Sequence, residues 1–231
     1  MLKSLAKRVA SLLPQARQQE LKRRHFRHDI ERDTFRTDEP EWAQAALWLG
    51  PGDWAIDVGA NVGHYTKKFS DLVGPSGRVI AFEPVPATFE LLSANAARFS
   101  IANVTLLNLA ASDATRLISM TIPLFDTGLT NYYQAAISTE ATGLEVMTCS
   151  IDSLHLPQRV RVIKIDAEGH DAVVLQGART LLERDHPVVI IESVSSEVAA
   201  LMASLGYMSQ RLPGSSNVIY FAQEASRVPG A

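Results

Sequence analysis

From residue 41 onward, short runs of β-branched and apolar residues alternate with stretches of helical periodicity, and this limits the architectures open to the chain. Trp54-Ala55-Ile56-Asp57-Val58, Arg78-Val79-Ile80-Ala81-Phe82, 104–109, 160–165 and 188–191 read as strands. Most are near-continuously apolar rather than alternating, as expected of strands buried on both faces of a mostly parallel sheet. The helices expected between them cover 42–49, 65–73, 88–99, 173–184 and 197–205, and extended segments at 207–210 and 218–221 close the pattern. In the first helix Trp42, Ala45, Ala46 and Leu49 would share one face, and Gly50-Pro51-Gly52 stops it. Helices and strands in this order predict an α/β fold with helices on both sides of the sheet.

The alternation pauses once. Residues 117–122 and 144–149 are rich in β-formers and flank a polar stretch, 126–142, which reads as a loop inserted into the α/β pattern. Within it, Phe125-Asp126-Thr127-Gly128-Leu129-Thr130-Asn131-Tyr132-Tyr133 mixes aromatic and polar side chains, as a carbohydrate pocket would require and as an ordinary exposed loop also does. Residues 1–36 differ from the rest, since Lys and Arg outnumber Asp and Glu there by six. Leu2, Leu5, Val9 and Leu12 recur at helical spacing and would give an amphipathic helix ending near Pro14. Residues 1–40 are therefore expected to be a basic helical arm, and 41–231 the domain proper. Such an arm either packs on its own domain or lies on an anionic membrane or a partner protein.

Charge and cysteine content exclude several classes. A net charge of -3 gives no reason to expect nucleic acid as a partner. The single Cys149 rules out a disulfide framework and a multi-cysteine zinc site. Lys3, Lys7 and Arg8 resemble the start of a signal peptide, but the apolar run that should follow is interrupted and stops at Pro14, so the expected location is cytoplasmic.

In a doubly wound sheet, the first strand–loop–helix unit carries the cofactor beyond the carboxyl ends of the strands. Here that unit is Asp57-Val58-Gly59-Ala60-Asn61-Val62-Gly63. Gly59 and Gly63 let the backbone pass close to a ligand. The second strand ends in Glu83-Pro84, where a carboxylate can accept the hydroxyls of a ribose. A nicotinamide site would place an acid similarly, but its loop needs a middle glycine for the pyrophosphate, and that place is Asn61. Asp57 would repel phosphates and suits the cationic amino and sulfonium groups of S-adenosylmethionine. A nicotinamide oxidoreductase and a catalytically silent cofactor-binding module stand as the alternatives.

Three blocks, Asp57-Val-Gly-Ala-Asn-Val-Gly-His-Tyr-Thr66, Ala81-Phe-Glu-Pro-Val-Pro86 and Val162-Ile-Lys-Ile-Asp-Ala-Glu-Gly-His170, resemble the signature blocks of the FkbM family of S-adenosylmethionine-dependent methyltransferases. Lesser matches are Ala110-Ala-Ser-Asp113, residues 188–192 and Asn217-Val-Ile-Tyr-Phe221, and the resemblance extends over about residues 41–222. It implies a Rossmann-like class I methyltransferase fold, with a seven-stranded mostly parallel sheet whose last strand runs antiparallel. It also implies methyl transfer from S-adenosyl-L-methionine to a hydroxyl of a sugar, glycan precursor or polyketide. Asp57, Gly59, Asn61 and Gly63 would then surround the methionine part of the cofactor, Glu83 would hold the ribose, and Ser112 and Asp113 would lie near the adenine.

The third block supplies the candidates for chemistry. Lys164 and Asp166 share a strand face at the end of the fourth core strand. Methyl transfer needs an in-line arrangement of oxygen, carbon and sulfur and removal of the hydroxyl proton. His170 is the candidate base, with Asp166 or Glu168 orienting it or the substrate, and Asp166 also borders the cofactor. His64, which follows the cofactor loop, is the rival base, and Glu192 is a candidate acceptor for a substrate hydroxyl. Nothing in the spacing of Asp166, Glu168, His170 and Asp171 demands a metal, so none is expected. His25 and His28 in the arm lack partners for a metal site.

Overall fold

The computed structural model describes residues 13–123, 136–138, 143–192 and 195–223. The amphipathic stretch expected before Pro14 and the aromatic loop 125–133 lie outside them, apart from Leu13. The main sheet has seven strands in the order β10-β11-β9-β8-β1-β2-β3. These are β1 (Trp54–Val58), β2 (Arg78–Phe82), β3 (Val104–Leu107), β8 (Val160–Ile165), β9 (Val188–Ile191), β10 (Tyr207–Gln210) and β11 (Val218–Ala222). All neighbouring pairs are parallel except those of β11, which enters antiparallel between β9 and β10. The last strand thus runs antiparallel, as the family resemblance implies.

Both faces of the sheet are covered, which accounts for the unbroken apolar character of its strands. On one face Ile56, Val58, Ile163 and Ile165 pack with Val174, Leu175 and Leu182 from α5 (Asp171–Gln176) and α6 (Arg179–Asp185) and with Met202 from α7 (Ser196–Ser204). On the other, Ala55, Val79, Val162 and Ile190 pack with Tyr65, Phe69 and Val73 from α3 (His64–Val73). Phe69, Phe82 and Leu182 are fully buried; each such side chain contributes about 1.5–3 kcal/mol by leaving water.

A second sheet, ordered β4-β7-β5-β6, fills the pause in the alternation. It comprises β4 (Ala110–Ser112), β5 (Leu117–Thr121), β6 (Ala136–Ser138) and β7 (Leu144–Ser150). The two extended segments expected there pair antiparallel, Leu117 opposite Met147 and Met120 opposite Leu144. The polar stretch between them is not all loop, since 136–138 adds an antiparallel strand to β5.

Three expected elements differ. The helix read over 42–49 is α-helical only over α2 (Pro40–Gln44) and tightens to a 3₁₀ turn over Ala45–Leu47. With three residues per turn the inward face rotates, so Ala45 and Leu49 are buried while Ala46 and Leu47 face solvent. The third strand stops at Leu107, and just beyond it the Asn108 side chain donates to the carbonyls of Glu83 (2.9 Å) and Pro84 (3.0 Å). The helix read over 173–184 is broken into α5 and α6 at Gly177-Ala178. A Cβ on Gly177 would stand 1.9 Å from the carbonyl oxygen of Ser112, so β4 crosses the helix at contact distance.

The basic arm contains α1 (Gln15–Glu31), which starts after Pro14 at the N-cap. It lies along α4 (Pro86–Ala96), with Arg23 paired to Glu90 at 3.1 Å. Phe26 from α1 and Phe35 beyond it are buried with Val62, Leu91 and Phe99. No helix among the described residues is long and apolar enough to cross a membrane.

The crossing at Gly177 gives a direct test of how the second sheet is fastened. Gly177→Ala should destabilise the protein by about 1–3 kcal/mol through overpacking against β4. This would appear as a lower urea midpoint at unchanged denaturant slope; an unchanged midpoint would mean that β4 yields freely.

Candidate active site

The site opens at the carboxyl ends of β2, β1 and β8, the point where the chain leaves β1 in one direction and later returns on its other side. The loop after β1 takes three left-handed conformations, at Gly59 (φ 72°), Asn61 (φ 50°) and Gly63 (φ 99°). At Gly59 a Cβ would fall 2.0 Å from the carbonyl oxygen of Asp166, so only glycine fits between the two strand ends. The turn aims the Asn61 N–H at Glu83 Oε2, 2.9 Å away, while Glu83 Oε1 accepts from the Val85 N–H at 2.9 Å. Glu83 is 5 % exposed, and burial pushes its carboxyl up to about 7.

Asp57, one residue before the end of β1, stands opposite Lys164 in the β1–β8 register. It is buried and accepts a hydrogen bond from the Thr66 hydroxyl on α3. Burial pushes it up to about 6, against the pull of Thr66 and Lys164. Lys164 is itself only 3 % exposed and lies 3.5 Å from Asp166 Oδ2 and 5.5 Å from the Tyr65 ring centroid. The face shared by Lys164 and Asp166 is thus realised as an ion pair.

Two openings meet at this point. A cleft of about 70 Å³ is walled by Phe82, Glu83, Val85, Ala110, Met120, Glu168 and His170. A polar chamber of about 360 Å³ is walled by 36–39 of the arm together with Asp57, His64, Tyr65 and Lys164. Gly59, Asn61 and Asp166 border both, so the two form one trough divided by the cofactor loop.

The expected site residues separate along this trough. Asp57, Gly59, Asn61, Glu83 and Asp166 converge at the strand ends. Gly63 turns the loop into α3, and its missing side chain leaves room for Leu92. Ser112 and Asp113 lie at the end of β4 together with His170. Ser112 Oγ–H donates to Asp113 Oδ1 (3.1 Å), and Ser112 Oγ is in hydrogen-bond contact with His170 Nε2 at 3.0 Å. Of the two roles expected for Asp166 and Glu168, orienting His170 or the substrate, the first finds no hydrogen bond to His170 among the described residues. The turn after β8 takes left-handed values at both Glu168 (φ 46°) and Gly169 (φ 86°), carrying His170 to Ser112. The carboxylates acting on His170 are Asp113 and Asp171, and burial holds its imidazole below the usual histidine value. His170 stands at the N-cap of α5 without capping it through its side chain. The rival, His64, is packed against the Phe35 ring at 4.3 Å, and burial lowers its basicity as well.

Glu168 comes together instead with Asp166 and Glu192, one oxygen of each lying within 4.8 Å of the others. These are hard oxygen donors of the kind a divalent ion takes. Glu192 is exposed as a residue, yet partial burial of its carboxyl, then the charge of Asp166 and a hydrogen bond shared with it, push it up to about 7. Met120, Val85, Tyr65 and the arm segment 36–39 belong to the site and were not singled out from sequence. Tyr65 adjoins the glycine loop, but 36–39 reaches the site only through long-range contacts such as Asn217 Nδ2 to Glu39 Oε2 at 2.9 Å.

Residues 57–208 match the family model described as the methyltransferase FkbM domain. A curated relative, 31-O-demethyl-FK506 methyltransferase FkbM of Streptomyces tacrolimicus, is 48% identical over 54 residues, 23% of this chain and 20% of the relative. This chain therefore matches about a fifth of that protein's length. Among solved structures, methyltransferase FkbM from Methylobacillus flagellatus superimposes with a TM-score of 0.52 at 18% identity, covering 73% of this chain and 43% of that one. Aeropyrum pernix fibrillarin, solved with bound S-adenosyl-L-methionine, gives 0.50 at 17% identity, covering 78% and 74%. At these identities the structural likeness is one of fold.

The Glu83 carboxyl gives the site a pH signature. Cofactor affinity should fall as pH drops through about 7, because protonation removes an acceptor for the ribose hydroxyls. Calorimetric titration with S-adenosylhomocysteine from pH 5.5 to 8.5 measures this, and Glu83→Gln should bind more weakly with the slope near 7 abolished.

Proposed function

The chain belongs to the FkbM family of methyltransferase domains, whose cofactor is S-adenosylmethionine, and from that premise we propose that it methylates a hydroxyl of a sugar, glycan precursor or polyketide-like small molecule. The observation that carries this reading is the carboxylate group Asp166, Glu168 and Glu192 beside the cofactor loop. A hydroxyl is a poor nucleophile until its proton leaves, so an oxygen acceptor calls for a base next to the methyl donor. Glu192, poised near 7, has the proton affinity for that task. His170 has a weaker case, because its Nε2 is engaged by Ser112 on the β4 side of the cleft.

In this reading Glu83 receives the ribose, and the adenine lies against Ala110 and Met120, near Ser112 and Asp113. The sulfonium comes to Asp166, and the substrate oxygen approaches from the side of Glu168 and Glu192. A small uncharged acceptor agrees with the net charge of -3, which opposes a nucleic acid. The Streptomyces relative, named as a 31-O-demethyl-FK506 methyltransferase, points the same way. The reaction would take place in the cytoplasm.

Transfer of a labelled methyl group from S-adenosylmethionine to a panel of hydroxyl-bearing sugars and macrolides tests the proposal. Cofactor binding without transfer to any of them would instead describe a silent binding module. With an accepted substrate, kcat should rise with pH through about 7 as Glu192 ionises. Glu192→Gln should lose about 10²–10⁴-fold in kcat while keeping cofactor affinity. Loss of rate in His170→Ala but not in Glu192→Gln would return the base to His170.

A further inference from the structure

The polar chamber has a wall that the family match does not cover, since the matched residues begin at 57 and the wall is the arm segment 36–39. This segment is firmly held. Phe35 is 5 % exposed against Phe26 and the His64 ring. Glu39 Oε2 accepts from the Tyr65 hydroxyl (2.8 Å) and from Asn217 Nδ2 (2.9 Å), and Glu39 Oε1 accepts from Thr37 Oγ1 (3.1 Å). Asn217 also donates to the fully buried Glu41 at 3.3 Å. The position of Arg36 is thereby set from both sides, by the aromatic contact before it and the carboxylate anchors after it.

The chamber offers two cations, Lys164 in its floor and Arg36 at its rim. Lys164 is buried and already paired with Asp166. Arg36 makes no hydrogen bond or ion pair among the described residues and is the cation left for an incoming anion. The trough beside it must hold a ligand whose nucleoside end lies in the smaller cleft and whose other end is an amino acid, with one ammonium and one carboxylate. The carboxylates of Asp57 and Asp166 would attract the ammonium and repel the carboxylate. On the arm wall Asp38 and Glu39 add two further acids, Glu39 being taken up by Tyr65, Asn217 and Thr37, so Arg36 is the group there that can receive the carboxylate.

We infer that Arg36 binds the carboxylate at the amino-acid end of the cofactor, so that the arm completes a site whose other walls come from the family-matched part of the chain. This rests on the reading of the trough as the S-adenosylmethionine site. A guanidinium presents a planar pair of donors to a carboxylate, which makes it the fitting group for this place.

The test compares two ligands that differ in the amino-acid end. S-Adenosylhomocysteine carries the carboxylate, and 5′-methylthioadenosine lacks the whole amino-acid portion. Calorimetry on the full chain should show Arg36→Ala weakening S-adenosylhomocysteine about tenfold, as loss of one charge-assisted pair at a solvent-exposed rim would. It should leave 5′-methylthioadenosine unchanged, and Arg36→Lys should fall between Arg36→Ala and the parent chain for S-adenosylhomocysteine. Unchanged binding of S-adenosylhomocysteine by Arg36→Ala, or equal weakening of both ligands, would overturn the inference and leave the cofactor site standing. Failure of the parent chain to bind either ligand would overturn the reading of the trough itself.

Discussion

The contact on which the site depends is the approach of the Gly59 backbone to the carbonyl of Asp166. Strands β1 and β8 are parallel neighbours, and the Asp166 N–H continues their ladder by donating to the Val58 carbonyl at 3.1 Å. Immediately beyond, the two chains must diverge around a ligand, and a side chain at residue 59 would fill the gap where they part. With glycine there, the loop can turn twice more at Asn61 and Gly63 and present the Asn61 N–H to Glu83. One close approach thus brings together acids from three strands, Asp57, Glu83 and Asp166, that are far apart in sequence.

That convergence carries an electrostatic cost, visible in the raised affinities of Asp57, Glu83 and Glu192 for protons. Burial is the largest cause for each, and the neighbouring carboxylates add to it. The sheet register supplies one internal cation, Lys164 beside Asp57, and it cannot neutralise the whole group. A ligand bearing an ammonium and a sulfonium would relieve the remainder, whereas a pyrophosphate would aggravate it. The same excess of carboxylate favours a cationic cofactor, and under the proposed O-methylation it leaves a carboxylic acid near neutrality beside the place from which a substrate proton would depart.

The sequence makes the core of this arrangement legible because the constraints there are local. Strands β1, β2, β8 and β9 coincide with the apolar runs read for them. The turns of the glycine loop follow from a β-loop-α unit that spans only a few residues, with Glu83 brought alongside by the parallel pairing of β1 and β2. Where the outcome turns on distant contacts, the pattern fails. The periodicity over 173–184 is continuous, and what interrupts it comes from elsewhere in the chain: Ser112 passes against Gly177, and the Asp152 carboxylate accepts from the Thr180 and Leu181 N–H groups at the start of α6. His170 lies next to the carboxylates in sequence, but the left-handed values at Glu168 and Gly169 send it to Ser112. A non-glycine residue in that conformation has no dependable sequence signal.

The arm illustrates the same limit for charge. Its basic composition suggests a surface for an anionic partner, yet Arg24, Arg27 and Arg23 are engaged with Glu20, Glu31 and Glu90. Exposed pairs of this kind contribute about 0–1 kcal/mol each, whereas the burial of Phe26 and Phe35 contributes about 1.5–3 kcal/mol apiece. Apolar contacts therefore decide where the arm lies, and its cations follow. Because Phe35 adjoins Arg36, a packing interaction with His64 and Val62 positions a charge at the rim of the trough. Net charge summed over residues 1–36 conceals this, since the cation that bears on the site is defined by its aromatic neighbour and not by the basic run it belongs to.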